Sequence, residues 1–217
     1  MVVAIDGPAG SGKGTITKLI AEKLNLIYID SGATYRCVAL ACIRENIKLE
    51  EKDKIIELTK KLDINFNEKQ QTFLNGEDVS KLIRSKEVTN IVSQISSIVE
   101  VREILVDLQR KMANNKNVIM EGRDITTVVF PNADYKFYLD ATVLERARRR
   151  YKQNMEMGIN TSMEEIIENI KMRDYNDMHK EVGSLTKTND QIYIDSTNMT
   201  INEVVNEIVN YIKKNMI

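Results

Sequence analysis

Short runs of apolar residues that close on an acid recur along the chain: Val2 to Asp6, Ile27-Tyr28-Ile29-Asp30, Val118-Ile119-Met120-Glu121, Tyr135 to Asp140, and Gln191-Ile192-Tyr193-Ile194-Asp195. Each has the length of a strand, and none alternates cleanly between apolar and polar, as strands covered on both faces do not. A turn or a helical spacing follows each run, the rhythm of βαβ crossovers. The pattern predicts an α/β fold on a five-stranded parallel sheet. Its strand-end acids should gather at the carboxyl edge, where open α/β sheets bind their ligands.

Three capping boxes, Thr142-x-x-Glu145, Ser162-x-x-Glu165 and Thr200-x-x-Glu203, predict helices over 143–157, 163–179 and 201–215. In the last, Ile201, Val204, Val205, Ile208, Val209 and Ile212 fall on one stripe, suited to packing on the sheet. Between Asp53 and Glu100 the rhythm breaks. Ile64-Asn65-Phe66 and Thr72-Phe73-Leu74 flank a polar turn and predict a hairpin, with Asn75-Gly76 as a further turn signal. The reading is a core of 1–61 and 98–217 with an inserted lobe at 62–97. A helix from Glu100 to Ala113 returns the chain to the core, and Asn114 to Asn117 feed the third strand.

The 217 residues are enough for one sizeable core with a small inserted lobe. A hydrophobic fraction of 42%, a charged fraction of 29% and a net charge of −1 describe an ordinary globule and advertise no basic field for nucleic acid. The first strand follows the N-terminus directly, with no leader pattern and no apolar run of membrane length, so a cytoplasmic protein is expected. Cys37 and Cys42 lie five apart on one expected helix, about 140° from one another, which argues against a bridge and for packing thiols of a reducing compartment.

Candidate chemistry begins at Asp6-Gly7-Pro8-Ala9-Gly10-Ser11-Gly12-Lys13-Gly14-Thr15. A buried strand entering a glycine-rich turn and then a helix aims backbone N–H groups and the positive end of the helix dipole at one point, which suits a phosphate. Lys13 adds a flexible charge for the outer phosphates of a nucleotide. The pattern G-x-x-x-x-G-K-[ST] holds as far as Lys13, after which Gly14 intervenes and the hydroxyl arrives at Thr15, making this a P-loop variant.

Moving a phosphoryl group between two anions requires further cations. Arg36 follows the second strand, Arg102 opens the helix after the insert and Arg123 follows the third strand, all expected at the carboxyl edge. Arg146, Arg148, Arg149 and Arg150 sit on a helix followed by another capped helix. Three readings apply: a lid that swings arginines onto a triphosphate, a solvated face offset by Glu145, or a basic patch for RNA. The lid, about 146–180, suits the P-loop best. Arg146 and Arg149 share a face. Arg173, Asp177 and Lys180 are spaced i, i+4, i+7, along one face of the second lid helix, where a plain Arg173–Asp177 ion pair is the unadorned alternative. The single histidine, His179, has no evident partner and receives no role.

Gly7 to Thr15, Asp30-Ser-Gly-Ala-Thr-Tyr-Arg36, Gly122-Arg-Asp124 with Thr127-Val-Val-Phe-Pro131, Glu145 to Arg150, and Arg173-Asp174 with Asp177 together resemble bacterial-type cytidylate kinases, from Val3 to the terminal helix. The resemblance implies a nucleoside monophosphate kinase core with an inserted monophosphate-binding lobe and a lid. It implies ATP-dependent phosphorylation of CMP and dCMP with Mg²⁺, by a monomer that needs no nucleic acid or membrane. It assigns ATP to Gly7, Pro8, Ala9, Gly10, Ser11, Gly12, Lys13, Gly14 and Thr15, with Thr15 a possible Mg²⁺ contact and no other protein ligand assigned. Ser31, Arg102 and Asp124 would read the cytosine, Arg36 and Arg123 would hold the acceptor phosphate, and Ser93, Arg173 and Asp177 would contact the sugar. Tyr35 and Lys180 complete the acceptor set, and Arg149 and Arg146 join Lys13 as the catalytic cations.

Two positions depart from the family pattern. Lys180 stands where an arginine is usual, keeping the charge but losing the planar fork. Glu121 replaces an aspartate before Gly-Arg-Asp. Rival readings are a kinase of UMP, AMP or another small acceptor, a nucleotide-dependent or RNA-associated module, and a lapsed binding protein. The first is separated by a substrate panel, and the second is weakened for GTP because no Asn-Lys-x-Asp occurs.

Overall fold

The computed structural model describes residues 1–67, 69–156 and 158–216. The strands predicted from the apolar runs form at the expected places: β1 (Val2–Asp6), β2 (Ile27–Asp30), β6 (Val118–Gly122), β7 (Tyr135–Asp140) and β8 (Ile192–Asp195). They make one parallel sheet in the order β2-β6-β1-β7-β8. β1 is central, with Asp6 opposite Gly122 on one side and Tyr138 on the other. Its residues Val3, Ala4 and Ile5 are wholly buried, which is why the run carries no polar alternation.

By compactness the chain divides into one unit of 1–28 with 117–217 and another of 29–116. In the first, α1 (Lys13–Leu24) and α8 (Ile201–Asn215) pack together. The apolar stripe of α8 buries Val204, Val205, Ile208, Val209 and Ile212 against Ile16, Ile20 and the sheet residues Phe137 and Leu139. Ile201, the first residue of that stripe, is instead 50% exposed, as the opening residue of its helix. Thr200 and Glu203 make the full reciprocal capping box. Helices α6 (Val143–Glu156) and α7 (Met163–Met178) pack on one another, Ser162 capping α7 through the N–H of Glu165. Met157, the expected end of α6, lies outside the described residues.

The second unit has its own core. It is built on α2 (Ser31–Arg44), with α3 (Lys52–Lys61), α4 (Lys86–Ile95) and α5 (Val99–Ala113) around it. The expected hairpin forms between β3 (Ile64–Phe66) and β4 (Thr72–Leu74), and a short β5 (Glu77–Asp78) extends it. Cys37 and Cys42 are free and buried on α2, as packing thiols should be. Burial, with Asp30 nearby, pushes the Cys37 thiol up to about 12, so it is unreactive.

Candidate active site

At the end of β1 the backbone turns through Gly7 to Gly12 and enters α1 at Lys13. A Cβ on Gly7 would lie 2.0 Å from the carbonyl oxygen of Leu139 on β7, so only glycine lets the loop leave the sheet here. Gly12, the residue before α1, has φ 90°, a left-handed conformation, and no side chain caps the helix N-terminus. The first-turn N–H groups of α1 are thus left to an incoming anion, with no acid on that turn to compete.

Lys13 is 5% exposed and folds back over this loop, its Nζ donating to the Gly7 carbonyl at 2.7 Å, the Pro8 carbonyl at 2.8 Å and the Ser11 hydroxyl at 3.4 Å. Burial, reinforced by the cations Arg123 and Arg173, brings its pKa down to about 7, with Glu121 and Asp6 resisting. Arg173 is exposed as a residue on α7, but its crowded setting and the charge of Arg123 push it down to about 10. Lys13 and Arg173 thus feel like charge beside the phosphate loop, which anionic oxygens would relieve, while Arg123 is held in its charged form by Asp177.

The Gly122-Arg123-Asp124 turn follows β6. Arg123 Nε donates to the carboxylate of Asp177 on α7 at 2.7 Å, and Lys180 lies 3.4 Å from the other oxygen of the same group. Although burial opposes it, these two cations hold Asp177 below the usual carboxylate range. The expected one-face arrangement of Arg173, Asp177 and Lys180 needs correcting. α7 stops at Met178 with His179 as its C-cap, so Lys180 lies beyond the helix, and the described ion pairs of Asp177 run to Arg123 and Lys180. Asp124 is buried, its main-chain carbonyl accepting from the N–H groups of Val128 and Val129 in a wide helical turn over Ile125–Val129.

Arg146 and Arg149 both reach the phosphate loop from α6. Arg146, 4% exposed, donates to the Ala9 carbonyl at 2.8 Å and makes a two-pronged pair with Asp174 on α7, at 3.0 and 2.6 Å. Arg149 donates to the Ser11 carbonyl at 3.3 Å, to the Ser196 carbonyl at 2.6 Å and to Glu145 at 3.0 Å. Asp174 and Ser196 did not stand out as partners in the sequence. Separations of 28 and 47 residues leave no local spacing to read.

Ser31, Tyr35, Arg36, Ser93 and Arg102 belong to the second unit. Asp30 caps α2 by accepting the Ala33 N–H at 2.9 Å and pairs with Arg84. Arg36 donates to the Ile83 carbonyl at 3.1 Å and to the Thr89 hydroxyl at 2.9 Å. Arg102, 4% exposed, donates to the Ser96 carbonyl at 3.0 Å and lies over the Tyr35 ring at 5.4 Å. Ser31 is buried at the start of α2, and the main-chain carbonyl of Ser93 on α4 accepts from the hydroxyls of Ser96 and Ser97.

Among the described residues, no group of three or more histidine, cysteine or acidic side chains is gathered to hold a metal. What the loop offers fits a hard cation that keeps most of its oxygen ligands from phosphates and water. Thr15 is exposed one residue beyond Gly14. A Cβ on Gly14 would meet a carboxylate oxygen of Glu121 at 3.0 Å, and the Tyr28 hydroxyl donates to that same oxygen at 3.0 Å.

The sequence model of the family described as cytidylate kinase matches residues 3–214. The chain belongs to the cytidylate kinase family. A cytidylate kinase of Desulforamulus reducens is 48% identical over 98% of this chain and 96% of its own, and one of Clostridium acetobutylicum is 49% identical over 98% and 97%. The family makes this chain an enzyme, a nucleotide-binding transferase of the kinase class. Its fold is also that of solved structures with distant sequences. The shikimate kinase of Bacteroides thetaiotaomicron is 14% identical with a TM-score of 0.50, covering 98% of each chain. An uncharacterized protein of Eubacterium ventriosum, 13% identical, gives 0.54 over 98% of each. The likeness to these distant chains is one of fold alone, and a fold does not fix a substrate.

Proposed function

We propose that the chain transfers the γ-phosphoryl group of ATP to CMP and dCMP, giving the nucleoside diphosphates and ADP. The observation that carries the reading is the phosphate loop with its capless helix N-terminus, over which buried Lys13 folds and onto whose Ala9 and Ser11 carbonyls Arg146 and Arg149 donate, a cluster of cations to which Arg123 and Arg173 add their charge. Such a cluster suits two polyanions held for in-line transfer, where positioning and charge neutralisation do most of the work. In this reading the donor phosphates take backbone N–H groups between Ala9 and Thr15 and draw the Lys13 ammonium away from the Gly7 and Pro8 carbonyls. Arg149 and Arg146, anchored on the Ser11 and Ala9 carbonyls, keep the loop in register, and each can turn N–H groups to the transferring oxygens only by using its one N–H outside these bonds or releasing a protein partner. Thr15 and Glu121 are the residues that would hold Mg²⁺ and its waters, and the ion would supply charge neutralisation across the donor phosphates.

For the acceptor, the reading assigns the phosphate to Arg36 and Arg123, the sugar to Ser93, Arg173 and Asp177, and the base to Ser31, Arg102 and Asp124, with Tyr35 and Lys180 beside them. The 62–97 stretch is the proposed monophosphate-binding lobe, and about 146–180 the proposed lid. A carboxylate accepts from the exocyclic amine of cytosine and is repelled by the carbonyl that uracil presents there. The protein is proposed to act as a cytoplasmic monomer, a setting that suits its free, buried thiols. Asp124→Ala tests the base assignment. It should cut kcat/KM for CMP by about a hundredfold, bring CMP and UMP close together, and leave ATP affinity near wild type. An unchanged preference for CMP over UMP would remove Asp124 from that role.

A further inference from the structure

Asp6 ends the central strand one residue before the phosphate loop and is fully buried. One carboxylate oxygen accepts the Ile125 N–H at 2.9 Å, and the other accepts both the N–H and the hydroxyl of Thr126, at 2.8 and 2.6 Å. The Thr126 hydroxyl accepts in turn from the Gln191 side-chain amide, and the Gln191 carbonyl oxygen accepts the Thr188 N–H at 2.8 Å. The donor directions are thereby fixed: with Gln191 giving its proton to Thr126, the Thr126 hydroxyl gives its own to Asp6. Three donors converge on Asp6 and favour its ionised, acceptor-only form, working against the burial that raises its pKa.

This clamp closes on the two residues that directly follow Arg123 and Asp124. Asp6 is also the partner of Gly122 across the sheet, so it pins the turn from both ends. Burial weighs most against the Asp6 charge and Asp124 adds to it, while the three hydrogen bonds and the cations Lys13 and Arg123 favour it, so the bonds that fix the turn also offset the cost of the buried carboxylate. We infer that Asp6, through Thr126, is a positioning residue that sets Arg123 and Asp124 relative to the phosphate loop, so that the placement of the acceptor is built from the root of the donor site. The inference rests on the reading of Asp124 as the base-reading acid.

Thr126→Val keeps the volume and both backbone bonds to Asp6 while removing the hydroxyl, and Thr126→Ser restores it. With Asp6→Asn beside them, steady-state kinetics on CMP and UMP and calorimetric ATP binding separate the outcomes. The clamp predicts that Thr126→Val and Asp6→Asn raise KM for CMP about tenfold and narrow the CMP-over-UMP preference, with ATP affinity in Thr126→Val, which keeps the Asp6 charge beside Lys13, changed less than about twofold. Thr126→Ser should return both parameters to wild type. If Asp6→Asn does not fold, the threonine pair decides alone. Folded Thr126→Val with wild-type KM and preference, while Asp124→Ala loses that preference, overturns the clamp and leaves the base reading standing. If Asp124→Ala also keeps it, the base reading fails and takes the inference with it.

Discussion

Lys13 is held in surroundings that oppose its charge. With its pKa near 7 in the folded chain against an ordinary 10.5, the unfolded chain binds more protons between those values, and this residue's contribution to stability rises as pH rises through that window. Donor phosphates reverse the local balance, because a polyanion favours the protonated amine. ATP binding at pH 8 should therefore take up protons, seen by calorimetry as a binding enthalpy that changes with the ionisation enthalpy of the buffer. The same measurement on Lys13→Met should show most of that dependence gone, and a wild-type enthalpy independent of buffer would contradict the placement of Lys13 among cations. Gly7 is a second single-residue test. Gly7→Ala would drive a methyl group into the Leu139 carbonyl, and chemical denaturation should register a loss of about 2–3 kcal/mol. The P-loop and its lysine were legible in the sequence because glycine spacing is a local signal. Asp6, one residue earlier, looked like one more strand-end acid, since its partners Ile125 and Thr126 are more than a hundred residues away.

Helices α6 and α7 are joined by a buried ion pair whose removal should separate packing from chemistry. Asp174→Ala leaves the Arg146 guanidinium buried without its carboxylate and is expected to cost about 3–5 kcal/mol in urea denaturation. The double exchange Arg146→Met with Asp174→Leu should recover most of that stability while turnover stays low, since Arg146 also holds the Ala9 carbonyl. Stability that stays at wild type in Asp174→Ala would show the pair to be dispensable. By contrast Thr200→Ala, which removes the cap of α8 far along the chain from the loop, should lower stability by about 1 kcal/mol with kcat unchanged. Elements with a local signature were readable in advance: the five strands by their unbroken apolar runs, the helices after Thr142, Ser162 and Thr200 by their caps. The short helices α3 and α4 and the strand β5 escaped that reading, being brief elements whose stability comes from packing around α2. Lys180 was misplaced for a related reason, because the i, i+4, i+7 spacing continues past Met178 while the helix does not.

Among the described residues one hydrophobic core lies on the sheet with α1 and α8, another lies around α2, and a smaller cluster of Ala147, Ile166 and Ile170 joins α6 and α7. Strand order could not be read from the sequence, because each run pairs with partners distant in the chain, and β1 lies between β6 and β7. The recurring apolar runs nevertheless identified the layer architecture, and the motifs identified the family. A fold alone does not fix the acceptor, so the decisive quantity is acceptor choice rather than nucleotide binding. The most direct measurement is ADP release by the purified protein with ATP, Mg²⁺ and each monophosphate in turn. The account predicts kcat/KM for CMP and dCMP at least about a hundredfold above those for UMP and AMP. Equal turnover of CMP and UMP, or turnover of neither CMP nor dCMP, would contradict it.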